Sequence, residues 1–239
     1  MLNTPEVKSI YTEIQKKLYY MIPEKWESVY LYASITEKAY QMPIGEMFFY
    51  YFPKGIFKKN PVNVYEIPNK FNMDEQQYMK LVKNLYGSIE KLRSIYKENK
   101  QRMWTNITIS IENFRFKIQY NYESLDNLEY SNYDRHIIWR YEHLGIDIGS
   151  LNKKERAVIE KYLVNRRIKK EDQESYDEPI YKKPVHNILD YEKDQFERPL
   201  ELEVMKEFES DRKLVNNQIL AGMNNKKVSG GKNERLFRN

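Results

Sequence analysis

The chain of 239 residues contains no cysteine. Disulfide frameworks, cysteine-ligated zinc, iron–sulfur clusters and thiol nucleophiles are excluded together. Glycine is also scarce. The eight present are scattered, and none forms a phosphate-cradling loop or a dinucleotide fingerprint. There are only three histidines and no nucleophile-elbow pattern around a serine, which leaves little for nucleophilic catalysis. His136 and His143 are seven residues apart, but no carboxylate lies at a matching position to complete a metal site, so they read as ordinary boundary histidines. No uninterrupted apolar run approaches the length of a membrane span, and the mean hydropathy is −0.83. The N-terminus lacks the basic-then-apolar order of a secretory signal. These absences lead to the expectation of a soluble cytoplasmic protein that is not an enzyme and carries no cofactor or metal.

What the chain does have is aromatic surface. Aromatics make up 14% of residues, with 21 tyrosines, enough for a real core. The net charge of +5 is a sum over three zones. Residues 1–170 hold 28 basic and 20 acidic side chains, residues 171–211 hold 5 and 14, and residues 212–239 hold 7 and 1. The division at residue 170 is also the expected domain boundary, with a folded domain at 1–170 and a charged extension at 171–239.

Periodicity outlines the elements. Val7, Ile10, Tyr11, Ile14, Leu18 and Met21 recur at three- and four-residue steps behind Thr4-Pro5-Glu6, which predicts a capped helix stopped by Pro23. Ser28–Ile35 alternates as a strand. Glu46–Phe52 is aromatic on both faces, as a strand covered on both sides would be, and Val62–Ile67 reads as a third, short strand. Residues 74–98 carry the apolar stripe Tyr78, Leu81, Val82, Leu85, Ile89, Leu92 and Tyr96. Trp104–Tyr120 reads as a hairpin. A turn at Glu112-Asn113 would set Ile111 opposite Phe114, Ile109 opposite Phe116 and Ile107 opposite Ile118, leaving one wet face and one face on the core under the 74–98 helix. Arg135–Gly145 and Leu151–Lys170 follow as helices, the second with Ala157, Val158, Tyr162 and Val164 as its apolar residues. Glu171–Pro184 reads as a linker, Pro199–Met223 as a possible helix, and residues 224–239 as a disordered end. The expected fold class is α+β, with an antiparallel sheet of about five strands, helices packed on one face, and a partly helical or disordered C-terminal tail.

One segment stands out chemically. Between Ile118 and Asp134 there is no lysine or arginine, while Glu123, Asp126, Glu129 and Asp134 alternate with Tyr120, Tyr122, Tyr130 and Tyr133. Unpaired acids and tyrosines in a loop suit a protein-binding surface for a basic partner. They equally suit a solvated connection whose tyrosines cap the core. Basic clusters at Lys54, Lys58 and Lys59 and at Arg166, Arg167, Lys169 and Lys170 read as solvated surface, the second sitting at a helix C-terminus where the dipole favours cations.

These pieces, in order, resemble the YezG-like immunity (antitoxin) family of Gram-positive bacteria, which includes staphylococcal EsaG-type nuclease inhibitors. The resemblance is carried by Met21-Ile-Pro-Glu-Lys-Trp-Glu-Ser-Val-Tyr-Leu-Tyr-Ala33, Gly45-Glu-Met-Phe-Phe-Tyr-Tyr51, Ile67-Pro68, Leu92-Arg-Ser-Ile-Tyr-Lys-Glu-Asn99 and Trp104-Thr-Asn-Ile-Thr108. Further along, Tyr120-Asn-Tyr-Glu123 and Tyr133-Asp-Arg-His-Ile-Ile-Trp-Arg-Tyr-Glu-His-Leu-Gly-Ile146 continue it. It covers roughly residues 6–165. It implies a cytoplasmic partner that binds and neutralises a secreted LXG-type toxin, often a nuclease, exported by type VII secretion. The family supplies no site residues to carry over. The surface expected from the residues themselves is Tyr122, Glu123, Asp126, Glu129, Tyr130, Tyr133 and Asp134, whose acids would compete with phosphates for a basic groove. The rival reading is a basic nucleic-acid-binding or regulatory protein acting through residues 54–59, 166–170 or 212–239.

Overall fold

The computed structural model describes residues 2–37, 43–55, 60–113, 115–125, 129–175 and 194–200. Helix α1 (Pro5–Met21) starts where Thr4 accepts a hydrogen bond from the Val7 N–H at 3.3 Å, with Pro5 in the first turn. All six residues of its expected stripe are buried. Strands β1 (Trp26–Glu37) and β2 (Pro43–Pro53) pair antiparallel. Strand β3 is only Val62–Asn63. The strand expected over Val62–Ile67 stops there because Asn63 caps a 3-10 turn, accepting from Tyr65 N–H at 3.0 Å. Pro68 then sits in the first turn of the one-turn helix α2 (Ile67–Lys70). Helix α3 (Glu75–Glu98) is capped by Asp74, whose carboxylate accepts from Gln77 N–H at 2.9 Å. Its stripe is buried as expected except for Leu81, which faces outward.

Strands β4 (Asn106–Glu112) and β5 (Arg115–Asn121) form the hairpin in a different register from the expected one. Glu112 pairs with Arg115, so the turn begins at Asn113, which holds the positive φ (50°). Ile111 therefore faces Phe116, Ile109 faces Ile118 and Ile107 faces Tyr120. Each partner has moved by two residues, and a two-residue shift preserves which face a side chain occupies. The separation into apolar and polar faces survives while the pairs change.

The sheet has six strands in the order β3-β2-β1-β4-β5-β6, all antiparallel. Strand β6 (Asp194–Pro199) comes from the extension. Pro199, expected to open a helix, ends this strand instead, and the rest of the expected 199–223 helix lies outside the described residues. The fold class is α+β. Helices α1 and α3 cover one face, burying Val29, Leu31, Phe49, Tyr51, Ile107, Ile109, Phe116 and Ile118 between them and the sheet. Beneath α1, the hydroxyls of Tyr11 and Tyr120 meet at 2.8 Å.

The opposite face is not simply wet. Helix α4 (Asn132–Leu144), closed by Gly145 at φ 61°, crosses it. Trp139 of α4 donates from Nε1 to Thr108 Oγ1 at 3.0 Å and packs edge-on to Phe48 at 5.2 Å, so Thr108 and Asn106 are buried rather than solvated. This second cover is what the doubly aromatic β2 requires. Helix α5 (Lys153–Ser175) packs behind α4, with Ile137, Ile138, Leu151 and Ile159 as its small core. It runs past Lys170 through the first residues of the expected linker, and the remainder of that linker lies outside the described residues. On α5, Ile159 and Leu163 turn inward, while Ala157 and Val164 turn outward.

Candidate protein-binding surface

The acidic stretch leaves β5 at Asn121. Thr105 Oγ1 donates to the backbone oxygens of Asn121 (3.2 Å) and Glu123 (2.7 Å), fixing the exit from the strand. Tyr122 is half-buried against the main core, with the Arg102 guanidinium 4.7 Å from its ring centroid. Glu123 is exposed, and its Oε1 accepts from Asn106 Nδ2 at 3.3 Å. Asp126 lies outside the described residues.

The remaining four residues serve the α4–α5 pair. The Glu129 carboxylate accepts from Asn165 Nδ2, and its backbone oxygen accepts from Lys161 Nζ at 3.0 Å. Tyr130 packs on the small core. Its hydroxyl accepts from Asn165 Nδ2 at 2.9 Å, and partial burial pushes its pKa up. Tyr133 is 48% exposed, with Lys154 Nζ 5.0 Å from its ring centroid. Asp134 is half of a capping box with Ser131. It accepts from Ser131 N–H (2.9 Å) and Oγ (2.7 Å), while its own N–H donates to Ser131 Oγ at 3.2 Å. Burial acts to raise its pKa, but the Ser131 bonds and the charges of Lys154 and Lys161 outweigh it and hold the carboxyl below its usual range.

The fold thus gives the expected site residues different neighbours. Glu123 meets Asn106 of β4, Glu129 and Tyr130 bind to α5, and Tyr133 and Asp134 form the first turn of α4. A stretch without cations in sequence also meets Arg102, Lys154 and Lys161 in space.

Near Glu123, a polar row runs across four strands of the sheet. Glu46, Ser34, Asn106 and Asn121 are successive cross-strand partners. Asn121 Nδ2 donates to Asn106 Oδ1 at 2.7 Å, and Asn106 passes the chain of bonds to Glu123. Both Glu46 and Glu123 lie close enough to act on the Tyr32 phenol, whose pKa is raised first by burial and then by these two charges. Glu46 is the member that local sequence reasoning missed, because its strand is 77 residues from Glu123 and only the sheet register joins them.

Glu46 also opens onto a groove of about 530 Å³ between β2 and α3, walled by Phe48, Tyr65, Met79, Val82 and Tyr86. His136 closes one end. Its Nε2 lies 2.9 Å from the Tyr50 hydroxyl and its ring 3.9 Å from that of Phe48. Burial, reinforced by the charge of Arg140, lowers its pKa to about 4. His136 is therefore neutral at physiological pH. The sequence signal for this groove is Met79, an apolar residue outside the α3 stripe and 38% exposed.

The basic clusters look different in place. Lys54 is exposed, and Lys58 and Lys59 lie outside the described residues. Arg166 is not at a helix end, since α5 continues to Ser175, and it pairs with Glu142 at 3.5 Å instead. Among the described residues no group of three or more histidines and carboxylates could hold a metal ion, and no helix is long and apolar enough to cross a membrane.

Comparison with known proteins agrees with the resemblance. The family profile described as "Immunity protein YezG-like" matches residues 7–158. Immunity protein YezG of Bacillus spizizenii is 34% identical over 146 residues, covering 61% of this chain and 86% of the relative. Immunity protein YezG of Bacillus subtilis is 28% identical over 141 residues, 59% of this chain and 89% of the relative. The type VII secretion system protein EsaG of Staphylococcus aureus is 30% identical over 143 residues, 59% of this chain and 83% of the relative.

Proposed function

The chain belongs to the YezG-like immunity protein family, and on that premise we propose that it is the cytoplasmic antitoxin of a secreted LXG-type toxin bearing a nuclease domain, which it neutralises by binding and occluding that domain rather than by turnover. The observation that carries this reading is the family match. It runs from α1 to the first turns of α5 and includes every buried residue of the main core, while Lys161 and Asn165 of the surface described above lie beyond it. The relative named as a type VII secretion system protein supports the export route of the partner.

On this reading the acids of the 122–134 segment meet toxin cations, and Tyr122, Tyr130 and Tyr133 add contact area. Asp134 and Glu129 are committed to holding α4 and α5, which leaves the exposed Glu123 as the acid to reverse, together with Asp126 of the same segment. Co-expression of this chain with its cognate LXG-type toxin domain, sought first in the reading frames flanking its gene, is expected to restore growth, and the two proteins are expected to co-purify. Glu123→Lys combined with Asp126→Lys is expected to weaken binding about tenfold or more and to flatten its salt dependence, as loss of steering charges does. A chain that neither protects nor co-purifies overturns the reading. Unchanged affinity in the double variant overturns the assignment of the segment alone.

A further inference from the structure

We infer that the groove between β2 and α3 docks a basic segment of the protein partner, whose lysine or arginine meets Glu46 while a neighbouring apolar side chain rests on Met79 and Val82. This rests on the reading of the chain as a toxin-binding immunity protein, and it assigns a second contact surface, between β2 and α3 rather than along α4 and α5.

The first observation is the state of Glu46. It is half-buried beside Phe48, and its carboxylate makes no hydrogen bond or ion pair among the described residues. Burial raises its pKa, and Arg135 opposes this only from a distance. Arg135 is engaged elsewhere, since its Nη2 donates to Leu125 O at 2.7 Å and to Asn132 Oδ1 at 3.2 Å. A carboxylate that has lost part of its hydration and gained no donor is destabilised until a cation arrives.

The second observation is the edge of the sheet. Strand β3 pairs only with Tyr50 and Tyr51, so the outer edge of β2 ahead of them carries no strand among the described residues. The Tyr65 hydroxyl takes the Met47 carbonyl at 2.6 Å, and Tyr65 and Met79 stand 48% and 38% exposed along the same wall. Uncovered edge, exposed apolar side chains and an unmatched carboxylate coincide in one concave place.

The third observation is the order of charge. Lys83 stands on the α3 wall opposite Glu46. The complementary segment therefore offers its cation to the β2 side and an acceptor to the α3 side, which fixes its direction in the groove.

The test uses the full chain and an LXG-type toxin domain against which it protects in co-expression, titrated by calorimetry, with thermal unfolding of each variant in parallel. Glu46→Gln is expected to weaken binding about tenfold without lowering the melting temperature, because the desolvated charge does not stabilise the free protein. Met79→Ala, at an exposed position, is expected to weaken binding about threefold. Glu6→Gln on the exposed side of α1 serves as the reference for loss of one distant negative charge. Should Glu46→Gln unfold, Met79→Ala decides alone. A wild-type chain that binds while both groove variants match Glu6→Gln overturns this inference and leaves the proposed function standing. A wild-type chain that does not bind overturns both.

Discussion

The two edges of the sheet are managed in opposite ways. At the β5 edge the ladder is closed by β6, a strand from beyond the family-matched region, and the closure is clasped to α1. Phe196 packs on Tyr11 at 4.9 Å between ring centroids, Arg198 Nη2 donates to Thr12 Oγ1 at 2.9 Å, and Arg115 pairs with Glu197 at 2.6 Å. At the β2 edge β3 covers two residues, and one tyrosine hydroxyl then replaces a strand. An unpaired edge invites association, so one left uncovered beside a groove is a feature to explain rather than a gap. One part of the molecule is closed by its own extension, and the other, among the described residues, stays open within the shared domain.

Strand β2 at the open edge is packed closely against β1 and α3, and the largest expected effect breaks that packing. Gly45 carries an ordinary negative φ, and what it needs is space. A Cβ there would lie 1.8 Å from Ser34 O and 2.2 Å from the Tyr86 hydroxyl, which itself donates to Ser34 O at 3.0 Å. Backbone on one side and an engaged phenol on the other cannot both yield. Gly45→Ala is expected to cost about 3 kcal/mol, read as a lower urea midpoint with an unchanged slope. An unchanged midpoint would show that the β1–β2 ladder can shift, and that the edge is not rigid.

A smaller effect is expected from His136 at the end of the groove, through pH. The groups facing it are Tyr50, Phe48, Arg140 and Glu155. Its pKa is about 4 in the folded chain against an ordinary 6.5. Unfolded chains take up this proton first as pH falls, so the folded state loses stability between about 6.5 and 4 and loses no more from this group below that. The full difference would be worth about 3 kcal/mol, and solvent screening of the half-buried ring brings the expected loss to on the order of 2 kcal/mol. His136→Gln is expected to flatten the stability profile over that window while leaving the plateau above pH 7 within about 1 kcal/mol of wild type. A profile with the same slope in the variant would assign the titration to other groups.

What the sequence disclosed follows from how local each signal was. Helix α1 was legible to the residue because Thr4, Pro5 and the six-residue stripe all lie within one short segment. The hairpin faces were legible because strand parity is local, but its register was not, since Glu112 could serve as turn or as partner and only the pairing with Arg115 decides. The double-sided aromatic pattern of β2 announced a second cover without naming Trp139, which reaches it from α4. The candidate acids were legible as composition only. The Ser131-x-x-Asp134 spacing inside the run is a capping-box signal that a reading by composition misses, whereas nothing in the run tells that Asn165 occupies the Glu129 carboxylate, or that Glu46 joins the other end through three cross-strand steps. Strand β6 was hidden for a further reason. Asp194 to Pro199 is mostly polar, and its place depends on one aromatic residue finding Tyr11 across the sheet.

That dependence sets the smallest expected effect, and it contrasts two neighbouring residues of the closed edge. Phe196 is half-buried and touches α1, whereas the Arg115–Glu197 pair has side chains 64% and 43% exposed. Burial of ring surface is worth more than an ion pair between solvated side chains, whose attraction is screened and whose ordering costs entropy. Phe196→Ala is expected to cost about 1–2 kcal/mol and to speed hydrogen exchange at the β5 amides that face β6, leaving those facing β4 protected. Glu197→Gln is expected to stay within about 0.5 kcal/mol of wild type with β5 exchange unchanged. Equal effects from the two would mean that charge, not the aromatic clasp, holds the extension to the sheet. Uniform exchange along both sides of β5 in Phe196→Ala would mean that closure of this edge supports the whole hairpin rather than its outer rim.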